Sequence, residues 1–541
     1  MSDVNSIAAT GELDAIVIGA GFAGLYQLIC LRDRLGLSVK VLEAGAGVGG
    51  TWYWNRYPGA RCDTESHAYW YTFSPELMKD WNWSERYPEQ PEIMRYMNFV
   101  ADRLDLKKDI SFNTRVTEAH YDQAANRWRV RTEAGESLTA KYLIAAVGCL
   151  STANVPKIPG LENFAGDWYH TGQWPHEGVD FTGKRVGLIG TGSTGIQATP
   201  PIAAQAKHLT VFQRTANYSV PARNVPLTAE FKQYIKDNTA EIRQATRETP
   251  NGHTFKIESR LALDSSPEER EAIYEAAWEK GGLQFRAVFQ DLMVNKAAND
   301  TAADFIKGKI RQIVNDPATA ALLSDIDHPY AAKRPPIDTG YFEAFNRPNV
   351  SLVDVKTHPI QEIVPGGLRT AEAEYQLDII VFATGFDAMT GPMLRIDIRG
   401  RDGQALAETW AAGPRNYLGL QVAGFPNLFT ITGPGSPSVL CNMPVAIEQH
   451  ADWIAGCIAH MRAKGLETIE ATPEAMDDWV EQVNAAANAT LLPRATHSWY
   501  LGANVPGKPR VFMPYAGGMA RYREICDTVA AQGYKGFALS S

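Results

Sequence analysis

Two glycine-rich turns constrain this chain more than any other feature of its sequence. Both follow the pattern G-x-G-x-x-G, with Gly19, Gly21 and Gly24 in GAGFAG and Gly190, Gly192 and Gly195 in GTGSTG. Each turn follows a short apolar run and opens a helical pattern, after which a second apolar run appears. In that context the first glycine makes the turn, the second lets a pyrophosphate approach the backbone, and the third lets the helix pack on the strand. The sequence therefore predicts two dinucleotide-binding units.

The residue that ends the second strand of each unit predicts which nucleotide the unit binds. Glu43 stands 24 positions after Gly19, and Arg214 stands 24 positions after Gly190, so equivalent positions carry opposite charges. A carboxylate accepts hydrogen bonds from both ribose hydroxyls and repels a 2′-phosphate, whereas an arginine pairs with that phosphate. We therefore expect FAD or NAD in the first unit and NADPH in the second.

The order of the elements predicts an α/β fold in which one nucleotide unit is nested inside the other. Strand patterns recur in QLDIIVFATGF and in PNLFTITGPG, while charged helical sequence precedes them. We predict two nested Rossmann-like dinucleotide-binding domains, for FAD and NADP, with a helical insertion. The predicted segments are an FAD-binding domain at 1–152 and 388–541, an NADP-binding domain at 153–221 and 332–387, and the insertion at 222–331.

Charge and cysteine usage argue against several classes of function. The 541 residues carry a net charge of −9, which argues against a nucleic-acid-binding surface. No stretch reaches the roughly 18 consecutive apolar residues that a membrane span requires. The six cysteines are scattered without a C-x-x-C pair, as expected of free thiols in a reducing compartment. The sequence predicts a cytoplasmic protein without a metal site, and it leaves the oligomeric state open.

A flavin site and an NADPH site in one chain would allow the protein to reduce its own flavin. The electrons then need an acceptor, and the absence of C-x-x-C argues against a disulfide relay. Molecular oxygen is therefore the leading candidate for the acceptor.

A further motif lies just ahead of the second glycine turn. The segment FAGDWYHTGQWP, from Phe164 to Pro175, follows the pattern F-x-G-x-x-x-H-x-x-x-W-P. Other distinctive stretches are GGTWYWNRYPGARCDTES, AKRPPIDTGYFEAFNRPNV, DIIVFATGFDAMTG and SWYLGANVPGKPR. With these motifs the chain resembles the type I Baeyer–Villiger monooxygenases over almost its whole length, most closely the phenylacetone, steroid and cyclohexanone monooxygenase branch.

The resemblance implies a flavin-dependent monooxygenase that converts ketones to esters or lactones with NADPH and O2. In that family NADPH reduces bound FAD, oxygen adds to give a flavin peroxide, and the peroxide attacks the ketone to form a tetrahedral adduct that rearranges. The peroxide must stay deprotonated, so such a site needs a fixed positive charge and must exclude water. The implied partners are O2 and a small-molecule ketone whose identity the sequence does not reveal.

The resemblance also implies roles for individual residues. Arg334 matches the arginine that holds the anionic peroxide, a task that suits a side chain that stays protonated. Asp63 matches the acidic residue that orients this arginine near the flavin. The residues that match NADP contacts are Lys333 and Thr215 beside Arg214, and Trp499 on a mobile loop that closes over the nicotinamide.

Eight more residues align with positions that contact the cofactors in the family, although each is equally suited to packing. The positions that line the flavin are Trp52, Tyr69, Val116 and Met443. The positions in the loop over the NADP pyrophosphate, beside Gly192 and Gly195, are Thr191, Ser193, Thr194 and Gln197.

His170 and Trp174 belong to the F-x-G-x-x-x-H-x-x-x-W-P motif and fall in the linker between the two predicted domains. We interpret them as a hinge that couples NADP binding to the position of the flavin domain. A role for His170 as a catalytic base is less favoured, because the peroxide mechanism needs no base there.

Two alternatives remain open from the sequence. An N- or S-oxygenating flavin monooxygenase would use a neutral hydroperoxide as its electrophile, and Arg334 together with the Trp-Pro ending favours ketone oxidation over it. A non-enzymatic, FAD-binding redox sensor is the more distant alternative, and it predicts NADPH consumption without an oxygenated product.

Overall fold

The protein is described by a computed structural model that covers residues 12–541. Its first part builds most of one sheet and the helices around it. The central strand is apolar and buried from Ala15 to Ile18, as expected for a strand covered on both faces. In chain order the elements are β1 (Leu13–Ile18), α1 (Phe22–Ile29), β2 (Val39–Leu42), α2 (Thr51–Trp54), α3 (Pro75–Asp80), α4 (Gln90–Arg103), β3 (Ile110–Ser111), β4 (Val116–Asp122), β5 (Arg127–Thr132) and β6 (Ser137–Ala145).

The second glycine turn opens the same succession of strand, helix and strand. The elements are β7 (Asp167–His170), β8 (Arg185–Ile189), α5 (Ser193–Gln205), β9 (His208–Gln213) and β10 (Val220–Pro221). As in the first unit, the helix begins directly after the second glycine of the turn and has no side-chain cap. Its first N–H groups therefore lack intrahelical partners and are available to an anion.

A helical stretch follows, and its two halves pack against different cores. Its elements are α6 (Ala229–Asp237), α7 (Thr239–Glu248), α8 (Pro267–Lys280), α9 (Lys296–Ile313) and α10 (Pro317–Ser324). Ile235 and Ile242 pack in the core around β1, whereas Tyr274 and Phe305 pack in the core around β8. The helical stretch therefore ties the two halves of the molecule together.

The rest of the chain completes both sheets and adds the C-terminal helices. Its elements are β11 (Ile337–Asp338), α11 (Tyr341–Ala344), β12 (Val350–Asp354), β13 (Ile360–Val364), β14 (Gly367–Thr370), β15 (Glu374–Gln376), β16 (Ile379–Phe382), α12 (Gly391–Leu394), β17 (Asp397–Arg399), α13 (Leu406–Thr409), β18 (Leu428–Thr430), α14 (Met443–Lys464), β19 (Thr468–Ala471), α15 (Pro473–Asn488), α16 (Met519–Ala531) and β20 (Phe537–Ser540).

Two larger sheets carry the fold, and one is inserted in the sequence of the other. The first sheet has the order β17-β4-β5-β6-β1-β2-β3, with β18 also paired to β6. The second has the order β12-β9-β8-β16-β7 with every pair parallel. Because the strands of the second sheet lie in sequence between β6 and β17, the predicted nested α/β fold is confirmed. The exact segment boundaries stay a prediction.

None of the helices between residues 12 and 541 is both long enough and apolar enough to cross a membrane.

Candidate active site

The first glycine turn is shaped by contacts with neighbouring backbone. Gly19 has φ of +103°, and a Cβ there would lie 2.6 Å from the carbonyl oxygen of Ala146. A Cβ at Gly24 would lie 1.8 Å from the carbonyl oxygen of Gly19. At Gly21 the nearest atom would be the Cα of Gly50 at 3.4 Å, an ordinary contact. The first and third glycines are thus required by the fold, which fixes the start of α1 against the sheet.

Glu43 follows β2 and is almost fully buried. Its Oε2 accepts a hydrogen bond from the N–H of Ala20 at 2.6 Å, and its Oε1 accepts one from the N–H of Gly45 at 2.7 Å. Burial raises the pKa of Glu43, while the two N–H groups oppose that shift. A carboxylate has about four lone-pair sites, so two remain for ribose hydroxyls. The carboxylate is therefore held in place beside the turn before a nucleotide arrives.

The second turn repeats this plan with one informative difference. Gly190 has φ of +114°, and a Cβ there would lie 2.4 Å from the carbonyl oxygen of Ala383. A Cβ at Gly195 would lie 2.1 Å from the carbonyl oxygen of Gly190. At Gly192, by contrast, no protein atom lies within 4 Å of the Cβ position. The fold itself therefore does not require glycine at position 192, which fits a close approach by a pyrophosphate.

Arg214 and Lys333 form the positive end of the second unit. Arg214 directly follows β9 and is exposed, whereas Lys333 is half-buried. Burial lowers the pKa of Lys333, and the nearby Arg214 lowers it further against the effect of Asp327. Between residues 12 and 541 neither side chain forms an ion pair. Two neighbouring cations without a carboxylate partner fit a phosphate group.

The predicted pyrophosphate loop is partly occupied by contacts within the protein. Thr191 donates from its hydroxyl to the carbonyl oxygen of Thr215 at 2.7 Å, which ties the turn to the end of β9. Ser193 is exposed and Thr194 half-buried in the first turn of α5, where both can face a ligand.

Gln197 uses its whole side-chain amide to join the two units. Its Oε1 accepts a hydrogen bond from the hydroxyl of Tyr57 at 2.7 Å, and its Nε2 donates to the carbonyl oxygen of Arg61 at 3.0 Å. Both partners precede Asp63 on the segment that follows α2. This contact between the units was not apparent from the sequence, and a contact of Gln197 with NADP stays a prediction.

Arg334 and Asp63 lie 271 positions apart in the sequence and form a bidentate ion pair. The Nε of Arg334 donates to Oδ2 of Asp63 at 2.5 Å, and its Nη2 donates to Oδ1 at 2.8 Å. Its Nη1 donates to the carbonyl oxygen of Val439 at 3.1 Å. Burial alone would lower the pKa of Arg334, but the adjacent Asp63 carboxylate raises it above its ordinary value. The guanidinium is thus a fixed positive charge that is largely shielded from solvent.

The residues predicted to line the flavin fall into two groups. Trp52 donates from its indole nitrogen to the hydroxyl of Tyr69 at 3.0 Å, and both rings are buried. Burial raises the pKa of Tyr69, and both Asp63 and Arg334 are close enough to act on it, which places this pair next to the ion pair. Val116 packs instead in a cluster on the other face of the first sheet.

Met443 begins α14 and packs where the core around β1 meets a smaller cluster that contains Tyr500. Trp499 is half-buried on the short 3-10 turn Trp499–Leu501, with its ring 4.5 Å from that of Tyr500.

The loop that follows Trp499 is fastened to the chain beyond β16. Lys508 donates to Oδ1 of Asp387 at 2.6 Å, and Asn504 donates to the carbonyl oxygen of Phe386 at 2.7 Å. The ring of His170 lies 5.9 Å from that of Phe386. The Trp499 loop and the predicted hinge therefore contact the same short segment.

His170 is buried, and its Nδ1 accepts a hydrogen bond from the N–H of Gly172 at 3.0 Å. Burial lowers the pKa of His170 to about 4, although the backbone at Gly385 and Asn154 opposes the shift. The N–H of Trp174 points to the carbonyl oxygen of Trp54 at 3.4 Å, and the indole of Trp174 is buried. A neutral histidine and a tryptophan bonded across to the α2 helix fit a structural joint better than a proton donor.

A cavity of about 220 Å³ opens beside Arg334. Its walls come mainly from the helical stretch, the segment 437–441, the Trp499 loop and the segment 515–518 that precedes α16. They include a second guanidinium, that of Arg286, which was missed in the sequence although it is the one charged residue of the run LQFRAVF. Larger side chains in the walls include Phe255, Met293, Leu440, Leu492, Tyr500 and Tyr515.

Comparison with known proteins identifies relatives over the whole chain. Residues 16–260 match the family described as "Pyridine nucleotide-disulphide oxidoreductase". A protein of Pseudooceanicola batsensis named "Baeyer-Villiger monooxygenase" is 46% identical over 98% of this chain and 97% of its own length. A protein of Lysobacter antibioticus named "Phenazine N-monooxygenase PhzNO1" is 43% identical over 98% of this chain and 97% of its own length.

Solved structures resemble the fold closely. One described as "Oxidized steroid monooxygenase bound to NADP" has a TM-score of 0.93 and 54% sequence identity, and the match covers 98% of this chain and 100% of that chain. Another, described as "OTEMO complex with FAD and NADP", has a TM-score of 0.94 and 43% identity, with coverage of 98% and 99%.

Proposed function

This chain belongs to the Baeyer–Villiger monooxygenases, and from that premise we propose that the cavity beside Arg334 is where a ketone is converted to an ester or lactone. The enzyme is an NADPH-dependent flavoprotein whose cofactors are FAD and NADP. Its substrates are small molecules, with O2 as the oxygen donor. The observation that carries the assignment of the site is the bidentate pair between Arg334 and Asp63 at the cavity wall.

The chemistry that bound FAD supplies is the activation of O2 with electrons from NADPH. Arg334 supplies the positive charge that such chemistry needs. Of its five N–H donors, three are used by Asp63 and Val439, so two remain for an anionic oxygen. Asp63 holds the guanidinium plane in one orientation, and the apolar walls of the cavity keep water away from the charge.

The glycine turns, the charges at the strand ends and the buried joint described above support the remaining assignments. The first sheet with Glu43 forms the FAD-binding domain (1–152 and 388–541), and the second with Arg214, Thr215 and Lys333 forms the NADP-binding domain (153–221 and 332–387). Trp52, Tyr69 and Met443 line the flavin, and Trp499 covers the nicotinamide. The residues along the pyrophosphate are Thr191, Gly192, Ser193, Thr194, Gly195 and Gln197. A contact of Val116 with the flavin stays a prediction that its packing on the other face of the first sheet does not support. His170 and Trp174 form the hinge.

The protein works in the cytoplasm and binds no nucleic acid. Its six cysteines are free and buried, which suits a reducing compartment. Its net charge of −9 opposes binding to a polyanion.

N- or S-oxygenation is the second candidate, because one relative of 43% identity is named as an N-monooxygenase. The charged Arg334 favours the ketone reaction, since a nucleophilic oxygen must remain an anion whereas an electrophilic one must be protonated.

A substrate panel tests the function directly. Purified enzyme is incubated with NADPH, O2 and matched ketones, sulfides and tertiary amines. The masses of the products are measured by mass spectrometry, and NADPH consumption is followed in parallel. Ketones should gain one oxygen atom with matching NADPH use. Oxygen transfer to the amines or sulfides without any ester would support the second candidate, and NADPH consumption without any oxygenated product would contradict both.

A further inference from the structure

The cavity beside Arg334 is lined by a second arginine, Arg286, that forms no ion pair within residues 12–541. Arg286 lies on the short helical turn Leu283–Ala287 and lines the cavity together with Arg334. Its Nη2 is shielded from solvent and has no hydrogen-bond partner. In the part of the chain from residue 12 onward, no carboxylate forms an ion pair with it. A shielded guanidinium donor without a hydrogen-bond partner favours an anionic ligand beside it.

The carboxylate near Arg286 is already paired with another residue. Asp63 is the nearby carboxylate, and both of its oxygens are bound by Arg334. None of the residues that line the cavity is an aspartate or a glutamate. Burial lowers the pKa of Arg286, and the charge of Arg334 lowers it further, although a guanidinium remains protonated at neutral pH.

The neutral side chains near Arg286 supply no counter-charge either. Burial keeps the pKa of Tyr330 and Tyr500 above the ordinary value, so both phenols stay protonated. Burial also lowers the pKa of His253, and the two arginines add to that effect. The cavity walls are therefore neutral except for the two guanidinium groups.

The two guanidinium groups differ in how many of their N–H donors are free to bind a ligand. Arg334 is fixed by Asp63 and keeps two N–H donors, whereas the side chain of Arg286 donates no hydrogen bond among the described residues and its Nη2 is shielded from solvent. A planar fork matches the two oxygens of a carboxylate. The cavity volume of about 220 Å³ suits a small-molecule ligand.

We propose that Arg286 selects ketones that carry a carboxylate, with the carboxylate on Arg286 and the carbonyl beside Arg334. This inference rests on the proposed function, because it uses the same cavity for the ketone. It assigns to Arg286 the recognition of the acid group and gives it no part in the oxygen transfer.

Levulinate and methyl levulinate test the proposal, since the two ketones differ in charge and little in shape. Binding of each to the oxidised, NADP-loaded holoenzyme is measured by calorimetry, without turnover. Wild type should bind levulinate more tightly than the ester. In Arg286→Met the ratio of the two affinities should fall by about ten- to a hundredfold, the effect of one lost charge-assisted fork. In Arg286→Lys part of the preference should return.

Arg247→Met is the matched control. Arg247 lies on α7 outside the cavity and forms no ion pair between residues 12 and 541, so this variant also removes a guanidinium without a partner. It should leave the affinity ratio as in wild type. Thermal unfolding and the flavin spectrum of each variant check that it is folded, and Arg286→Lys still decides the question if Arg286→Met does not fold.

An equal preference for levulinate in wild type and Arg286→Met would overturn the proposal. So would weaker NADP binding in Arg286→Met with an unchanged ratio, because Arg286 would then serve the nucleotide. Turnover of both ketones is measured separately. If wild type converts neither, these two ketones are not substrates and the ketone panel still tests the proposed function, while the affinity ratio separately decides the role of Arg286.

Discussion

The two nucleotide turns share a backbone plan but hold their discriminating charges in opposite ways. In each turn a side chain on the third glycine would clash with the carbonyl oxygen of the first. Glu43 is buried and bound to two backbone N–H groups, whereas Arg214 is exposed and unpaired within the described residues. The first site is therefore assembled in advance, and the second keeps its charges available to solvent.

This difference suits two cofactors with different residence times. A flavin that is reduced and reoxidised in place need not leave between turnovers, and a buried, pre-oriented acceptor favours its tight binding. NADP must enter and leave, and exposed cations attract its phosphate without a large desolvation cost. The comparison predicts that changes in the first unit affect assembly, whereas changes at the charged end of the second affect nucleotide choice.

The largest difference in stability is expected between two glycines of the second turn. The fold requires glycine at position 195, whereas we expect that only the ligand requires it at position 192. Gly195→Ala places a Cβ 2.1 Å from the carbonyl oxygen of Gly190, so the free energy of unfolding should fall by about 3 kcal/mol or more. Gly192→Ala meets no atom within 4 Å and should change the free energy of unfolding by less than ~0.5 kcal/mol while weakening NADPH binding. Chemical unfolding and NADPH titration check both variants, and equal losses of stability would contradict this assignment.

The free energy of unfolding should depend on pH through His170, which lies in the joint between the two units. Unfolded, its imidazole takes up a proton near its ordinary pKa of 6.5, but the folded protein keeps it neutral down to about 4. The stability that this group contributes is present above pH 6.5 and is lost as the pH falls toward 4, by about 3 kcal/mol in total. His170→Gln cannot take up that proton and should lose less stability over the same window. Unfolding free energies measured from pH 4 to 7 check this, and parallel curves for both proteins would contradict it.

Arg214 tests the nucleotide choice of the second unit. Arg214→Ala removes a charge-assisted contact worth about 2–3 kcal/mol, so kcat/KM for NADPH should fall roughly 30- to 150-fold. The value for NADH should change little, because NADH has no 2′-phosphate. Lys333 is the remaining cation, so the double variant with Lys333→Ala should lower NADPH use further. An unchanged NADPH-to-NADH ratio in Arg214→Ala would contradict the assignment.

The sequence was most informative where a requirement is local. The turns at Gly19 and Gly190 and the strands around them follow from spacing and periodicity, so the nested α/β fold was predictable. The motifs around Arg334 and Asp63 were recognisable, and the resemblance implied that the two side chains meet, whereas the bidentate geometry of their contact is visible only in the fold.

Contacts between distant segments were not predictable. Gln197 joins Tyr57 because two units dock, and no local pattern records that contact. Arg286 stands in an apolar run where a charge would normally face water, and only the fold shows that it lines the cavity beside Arg334. The division of the helical stretch between two cores likewise depends on packing rather than on its amphipathic pattern.

The central claim is that Arg334, held by Asp63, supplies the positive charge for oxygen transfer, and Arg334→Ala tests it most directly. Loss of one pre-oriented donor of this kind costs about a hundred- to a thousandfold in rate. The decisive measurement is the amount of ester formed per NADPH consumed, with hydrogen peroxide assayed in parallel. We predict that the variant binds FAD, still oxidises NADPH, releases hydrogen peroxide and forms almost no ester. Ester formation by Arg334→Ala at close to the wild-type ratio would contradict the account.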